Sequence, residues 1–468
     1  MKILHYNLGL PPYRSGGLTK YSIDLMLTQA QEGHEVNVLY PGKLVPGKGT
    51  TIKGNKKYKD IYVYEIINPL PVPLLGGVSR PSIFMKSLKS NFFYKEFLKK
   101  LQPDIIHLHT LMGLHYEFIK AAKELGIKVI LTSHDYYGIC PKVNLIDHTG
   151  NVCDNFNEGL KCVTCNTNAY SLPLIYFMQS YIYKNLKDSK VMKKIRSSKK
   201  RKFKEETEHN LDIEYSSTLQ KSANLANEFK ELRKYYINMI NMMDRVHFNS
   251  RITKEVYTKY ISGDLANEII PITHIDIEDQ RKKKEYKNNE QLQIGFLGPL
   301  ENYKGFPLLR KSLSNLLKEK EYNWHLHVFG NDVTINLEGD EDKDFISFHG
   351  RYKHKDLTHI FEKIDILIVP SIWKETFGFI GLEALSHGIP LIVTTYVGIK
   401  DLIHHNQTGL VIKPTESELS KAILYVIQNR DQVQKWNHNI CSESFDWVMS
   451  LHNKSIEVLY QKVVGEKV

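Results

Sequence analysis

Apolar residues in this chain come in short runs separated by amphipathic stretches, and the pattern occurs in two successive halves. In the first half, residues 3–8 read as a strand, a loop follows over 11–19, and a helix is predicted through Gln31. After a turn at Gly33 comes a strand over 36–40; residues 104–109 and 128–132 read as strands flanking a helix that ends near Leu125. In the second half, strands are predicted at 292–297, 324–329, 345–349, 364–369, 390–393 and 410–412. The run 364–369 is almost continuously apolar and rich in β-branched residues, as expected of a parallel strand buried on both faces. Strands alternating with helices at these intervals predict an α/β protein built from two doubly wound parallel sheets. The expected division is an N-terminal domain over 1–278, a polar linker over 279–290, a C-terminal domain over 291–430 and terminal helices over 431–468.

Composition narrows the class. The 468 residues suffice for two domains, and 42% hydrophobic with 25% charged residues is the balance of a soluble globular protein. No run approaches the ~18 apolar residues of a spanning helix, and the first residues read as a strand rather than a leader, so a cytoplasmic location is expected. The net charge of +11 is uneven: Lys193, Lys194, Arg196, Lys199, Lys200, Arg201, Lys202 and Lys204 crowd together within an insertion over 166–240. Just upstream, residues 172–183 are apolar and aromatic. That pairing suits either the cytoplasmic face of an anionic membrane or a solvated helical insertion packed on its own domain. Nucleic acid is not expected, because no recognition module accompanies the basic run.

The candidate chemistry lies after the 364–369 strand. Glu375 and Glu383 flank Thr376, Phe377, Gly378, Phe379 and Ile380, and a short helix is predicted from about Gly378 to Gly388 with Pro390 beyond it. A strand-to-helix turn offers free backbone N–H groups to a phosphate, while the carboxylates beside it accept from hydroxyls.

These residues, Pro-Ser-x-Trp-x-Glu375-x-Phe-Gly with Glu383-Ala-Leu-x-x-Gly-x-Pro, resemble the signature of the retaining glycosyltransferases of the GT-B fold, family 4. The resemblance implies two Rossmann-like domains facing a cleft, with Glu375 toward the donor sugar and Glu383 toward the nucleotide ribose. It also implies a terminal helix that crosses back to the N-terminal domain. Gly298 to Gly305 resembles the family turn whose Arg and Lys grip the diphosphate; Lys304 fits, but Pro299 stands where the Arg belongs, leaving Arg351 or backbone amides to compensate. Gly16 and Gly17 resemble the glycine pair that lets backbone approach the donor phosphate. His134 matches the histidine beside donor sugar and acceptor, and Asp135 and His109 are placed with it on the acceptor side; His107 is a weaker candidate. The implied reaction is transfer from a UDP- or GDP-sugar to a glycan or lipid-linked acceptor with retention. No side-chain nucleophile is required, and no catalytic metal is expected, because no supported Asp-x-Asp motif occurs. Two alternatives are a nucleotide-sugar epimerase of the same architecture and a non-catalytic partner protein.

Cys140, Cys153, Cys162 and Cys165 fall within 26 residues. Four thiolates including a Cys-x-x-Cys suit a closed tetrahedral zinc site, with His148 able to replace one ligand; an iron–sulfur cluster and free thiols are the other readings. Some relatives carry a similar insertion after the His-Asp pair, and a knuckle over 140–165 would rigidify the acceptor side.

Overall fold

In the computed structural model, residues 1–186, 218–261, 265–285, 290–330 and 343–465 are described. The basic run beginning at Lys187 lies outside them. The first sheet contains β1 (Lys2–Tyr6), β2 (Glu35–Pro41), β3 (Thr51–Tyr58), β4 (Ile61–Ile67), β5 (Ile105–Leu108), β6 (Lys128–Ser133), β7 (Arg245–Phe248) and β8 (Asn267–Ile269). Their spatial order is β3-β4-β2-β1-β5-β6-β7-β8. The second sheet, β9 (Leu292–Leu297), β10 (Trp324–Phe329), β11 (Ile346–Gly350), β12 (Ile366–Val369), β13 (Leu391–Thr394) and β14 (Gly409–Ile412), runs β11-β10-β9-β12-β13-β14.

Every neighbouring pair is parallel except β3 with β4. The strands with apolar runs lie inside their sheets, where Ile3, Leu4, Ile105, Ile106, Ile294, Ile366, Leu367 and Ile392 are wholly buried. The β3–β4 hairpin was not anticipated. Its outer strand exposes Lys53, Lys56 and Lys57, which removes the apolar signal but protects an open sheet edge from further pairing.

A buried cluster joins the two halves: Ile3, Tyr21 and Ile105 of the first pack with Leu367 and Leu391 of the second and with Ile456, Leu459 and Tyr460 of the helix Met449–Gly465. That last helix lies against the helix Gly17–Gln31. Gln29 Nε2 donates to Tyr460 Oη at 3.3 Å, Tyr21 Oη donates to His452 Nε2 at 2.9 Å, and Asn453 Nδ2 donates to Glu32 Oε2 at 2.6 Å. Truncating a fully buried aliphatic such as Leu459 to alanine costs about 2–5 kcal/mol in well-packed cores, so this seam fixes how the domains meet. Among the described residues, no helix is long and apolar enough to cross a membrane.

Candidate active site

The strand β12 ends at Val369 and delivers residues 370–378 to the cleft. This segment is not a free loop. Thr394 Oγ1 donates to the Ser371 carbonyl at 2.6 Å, the Glu375 amide to Tyr396 O at 2.8 Å, Gly398 N to Glu375 O at 3.0 Å and Ile399 N to Phe377 O at 2.6 Å. Gly378 then takes φ 96°, a left-handed conformation that glycine reaches without strain, and the helix Phe379–Leu385 begins. It is shorter than expected; a turn follows it to Gly388, also left-handed at φ 80°.

Glu375 is clasped on both carboxylate oxygens. Lys304 Nζ lies 2.6 Å from Oε1 and Ser371 Oγ donates to Oε2 at 2.9 Å. The side chains of Glu375 and Lys304 are only 13% and 22% exposed, so the pair is largely withdrawn from water. Lys304 also stands 5.3 Å above the Trp373 ring. The cation is positioned by Gly305, where φ is 77° and any Cβ would collide with the Pro370 carbonyl. Gly298 has a positive φ of 145° with open space around its Cα, and Pro299 beside it is half-buried. Arg351 is exposed just after β11 and makes no ion pair among the described residues, so nothing in this arrangement brings it to the Lys304–Glu375 pair.

Glu383 has partners that the sequence did not suggest. His274 Nε2 lies 3.2 Å and His354 Nε2 3.5 Å from its Oε1. His274 is buried, stacks edge-on against Phe379 and has no hydrogen bond to its Nδ1. His274 reaches this spot from the segment after β8, so its signal lay in domain pairing and not in local spacing.

Across the cleft, the Thr376 hydroxyl donates to the His134 carbonyl at 3.0 Å, while Ser250 Oγ donates to the Thr376 carbonyl at 2.5 Å. A Cβ added to Gly17 would lie 3.4 Å from the Phe379 ring, so the glycine pair lets the first loop close on the second domain's helix; Gly16, at φ 113°, has open space around it. His134 is half-buried and its ring lies 4.8 Å from that of Tyr21; enclosure pushes its pKa down to about 3. Asp135 accepts from the Tyr137 amide at 2.8 Å, and burial raises its carboxyl to about 6. Glu375, Lys304, His134, Gly17 and Phe379 therefore share one region. His109 does not line it: only 1% exposed, it sits behind His134 and contacts its Nε2 at 3.4 Å, so the expected acceptor-side contact is corrected to a buried support.

The four cysteines surround one small cavity of about 20 Å³ with Arg233 at its edge. Cys162 and Cys165 share a face of the helix Leu160–Cys165, and Arg233 Nη2 approaches Cys162 Sγ at 3.8 Å. Burial pushes the Cys162 thiol up to about 12 and Cys165 to about 11. Four cysteines lining one cavity are a donor set that suits zinc in kind. The knuckle also meets the second domain, where Lys374 Nζ pairs with Asp154 Oδ1 at 3.0 Å.

Comparison with known proteins bears on the family and the fold. The family described as "Glycosyl transferases group 1" matches residues 277–441, and "Glycosyltransferase Family 4" matches residues 15–152. Spore coat protein SA of Bacillus subtilis is 23% identical over 189 residues, 36% of this chain and 50% of that protein. The capsular polysaccharide biosynthesis glycosyltransferase CapM of Staphylococcus aureus is 23% identical over 207 residues, 40% of this chain and 54% of CapM. The chain thus spans about half the length of these curated relatives. Among solved structures, Anabaena HepE in complex with UDP superposes with a TM-score of 0.56 at 14% identity, covering 99% of this chain and 100% of that one. The two parallel sheets across a cleft are the GT-B fold, and each half of the chain is similar to a glycosyltransferase family, the C-terminal half to group 1 and the N-terminal half to family 4.

Proposed function

We propose that the protein moves a sugar from a UDP- or GDP-linked donor to a glycan or lipid-linked acceptor, with retention of configuration, in cell-surface polysaccharide or glycoconjugate assembly. The observation that carries this reading is the Lys304–Ser371 clasp on Glu375, set directly before the Gly378 turn and tied through Thr376 to the His134 backbone. On donor binding, the Lys304 ammonium neutralises charge growing on the departing diphosphate, and the amides from Phe377 to Ile380 add aligned donors. Glu375 accepts from sugar hydroxyls and positions the ring; it is not the nucleophile. Glu383, oriented by His274 and His354, accepts from the ribose. The acceptor hydroxyl attacks from the face the leaving group vacates and passes its proton to the departing phosphate, so no catalytic metal is needed.

Release of free nucleotide from a panel of nucleotide sugars, with and without membrane extract, tests the reading; NMR of the product's anomeric centre tests retention. Acceptor-dependent turnover of one donor is expected, and no turnover of any UDP- or GDP-sugar would overturn it. The reading extends to the cytoplasmic face of an anionic membrane. Tyr176, Phe177, Tyr181, Ile182 and Leu186 are exposed just ahead of the basic run, and each basic residue adds about 1 kcal/mol near acidic headgroups. Unchanged liposome sedimentation after neutralising Lys193, Lys194, Lys199, Lys200, Arg201 and Lys202 would remove that part.

We propose further that the four cysteines would hold a structural zinc ion, which would stabilise the knuckle that meets Lys374. Purified protein is expected to contain about one zinc per chain. Cys162→Ser is expected to lose the metal and lower the melting temperature; four freely titrating thiols in metal-free, equally stable protein would count against it.

A further inference from the structure

Beneath His134 lies a row of imidazoles that the proposed reaction leaves unused. Adjacent strands place His5 opposite His107 and Thr132 opposite His247, while the terminal helix adds Tyr460 and the helix after β1 adds Gln29. We infer that a one-way chain of hydrogen bonds, running from the Ile270 carbonyl to His134, fixes His134 as its Nε2–H tautomer and presents Nδ1 as a bare acceptor for a sugar hydroxyl. This deepens the proposed function and rests on it for the identity of that hydroxyl.

The direction of the chain follows from its fixed end. A carbonyl only accepts, so His247 Nε2, at 2.7 Å from Ile270 O, carries the proton. Burial keeps His247 neutral, which leaves its Nδ1 to accept from Thr132 Oγ1 at 2.9 Å. The threonine oxygen then accepts from His107 Nε2 at 2.6 Å, and His107, also neutral, accepts at Nδ1 from Tyr460 Oη at 2.7 Å. Tyr460 has spent its one proton, so it accepts from Gln29 Nε2 at 3.3 Å; the Gln29 carbonyl oxygen accepts from His5 Nε2 at 2.8 Å. His5 Nδ1 therefore accepts from His109 Nε2 at 3.0 Å, and His109 Nδ1 accepts from His134 Nε2 at 3.4 Å.

Reversing a link between rings would put two protons on one buried imidazole, the charged form that burial disfavours, and reversing one at Thr132 or Tyr460 would ask a single hydroxyl proton to serve two acceptors. His134 Nδ1 has no hydrogen-bond partner among the described residues, and the ring is half-buried at the cleft. Such a nitrogen accepts from a hydroxyl and cannot donate to a phosphate, so its partner is a sugar hydroxyl. His109, His107 and His5 are positioning residues in this scheme.

Two-bond 1H–15N correlation spectra of the full chain labelled with [15N]histidine test the tautomer, with His134 assigned by His134→Gln. A protonated Nε2 and bare Nδ1 are expected for His134 at neutral pH. Thr132→Val removes the link that sets direction, so both directions become allowed; His134 is expected to show a mixture of tautomers, with kcat/KM falling about tenfold. Tyr460→Phe cuts the chain at a second place with little change in shape and is expected to do the same should Thr132→Val fold poorly. An Nδ1–H tautomer in the unaltered protein, or an unmoved tautomer in both folded variants, would overturn the inference. Those spectra need no substrate, so absence of sugar transfer would sink the proposed function while leaving the tautomer assignment readable.

Discussion

Replacing Lys304 with methionine is expected to lower turnover of the nucleotide-sugar donor by about 10²–10³-fold, the range seen when one preorganised transition-state donor is removed. On the proposed function, the turn that in the family supplies two cations has Pro299 in place of one, which leaves Lys304 to meet the leaving-group charge with little assistance from side chains. Its removal has a second consequence. Glu375 lies 2.6 Å from Lys304 Nζ with its side chain 13% exposed, so Lys304→Met strands a carboxylate in a poorly hydrated site. Leaving one partner of a buried pair uncompensated is strongly destabilising, and the melting temperature is expected to fall as well. The double variant with Glu375→Gln relieves that strain without restoring rate, which separates the structural effect from the chemical one. Lys304→Arg keeps the charge but presents a planar fork where a compact ammonium fits, and partial activity is expected. A kcat for Lys304→Met within twofold of the unaltered enzyme would exclude Lys304 from the reaction.

Acid is expected to unfold the protein with a midpoint near pH 5, well above the range where paired carboxylates alone would drive the transition. Six histidines, His5, His107, His109, His115, His247 and His452, are buried with their pKa values lowered by desolvation: His5 and His452 to about 3 and His115 and His247 to about 4. Their unfolded-state value is about 6.5, so the unfolded chain binds protons that the native state refuses. For a depressed pKa the stabilisation is complete above about pH 6.5 and is lost as pH falls toward the folded values. Each such ring contributes a slope of about 1.4 kcal/mol per pH unit in that window, and six together exhaust an ordinary stability of about 5–15 kcal/mol within two units. Asp135 works in the opposite direction: raised to about 6, it favours the native state in acid and loses that contribution as pH rises through 6; Asp365 and Asp401 are raised by burial too, three carboxyls against six rings. Melting temperature measured against pH tests the expectation, and a flat profile down to pH 4 would show that these rings are hydrated or charged in the native state.

Much of the site was legible because its chemistry is local. A parallel strand covered on both faces must be apolar along its length, so β9, β12 and β13 announced themselves; Gly378 and Gly388 bounded the next helix because the chain there needs left-handed backbone. Glu375, Glu383 and Lys304 stood out through fixed spacing from those landmarks. The β3–β4 hairpin was hidden, because an edge strand rich in lysine carries the composition of a loop.

The sequence by itself determined the two α/β halves, the carboxylate pair, the lysine and the cysteine knuckle. Only the tertiary structure decided what surrounds them. His274 and His354 meet at Glu383, Thr376 ties the second domain to the His134 backbone, and His5, His107, Thr132 and His247 fall into one row. Strand order and domain packing create those contacts between residues up to several hundred positions apart, and hydrogen-bond direction then passes from one to the next. No local pattern of polar and apolar residues encodes that order, because it depends on which strands become neighbours.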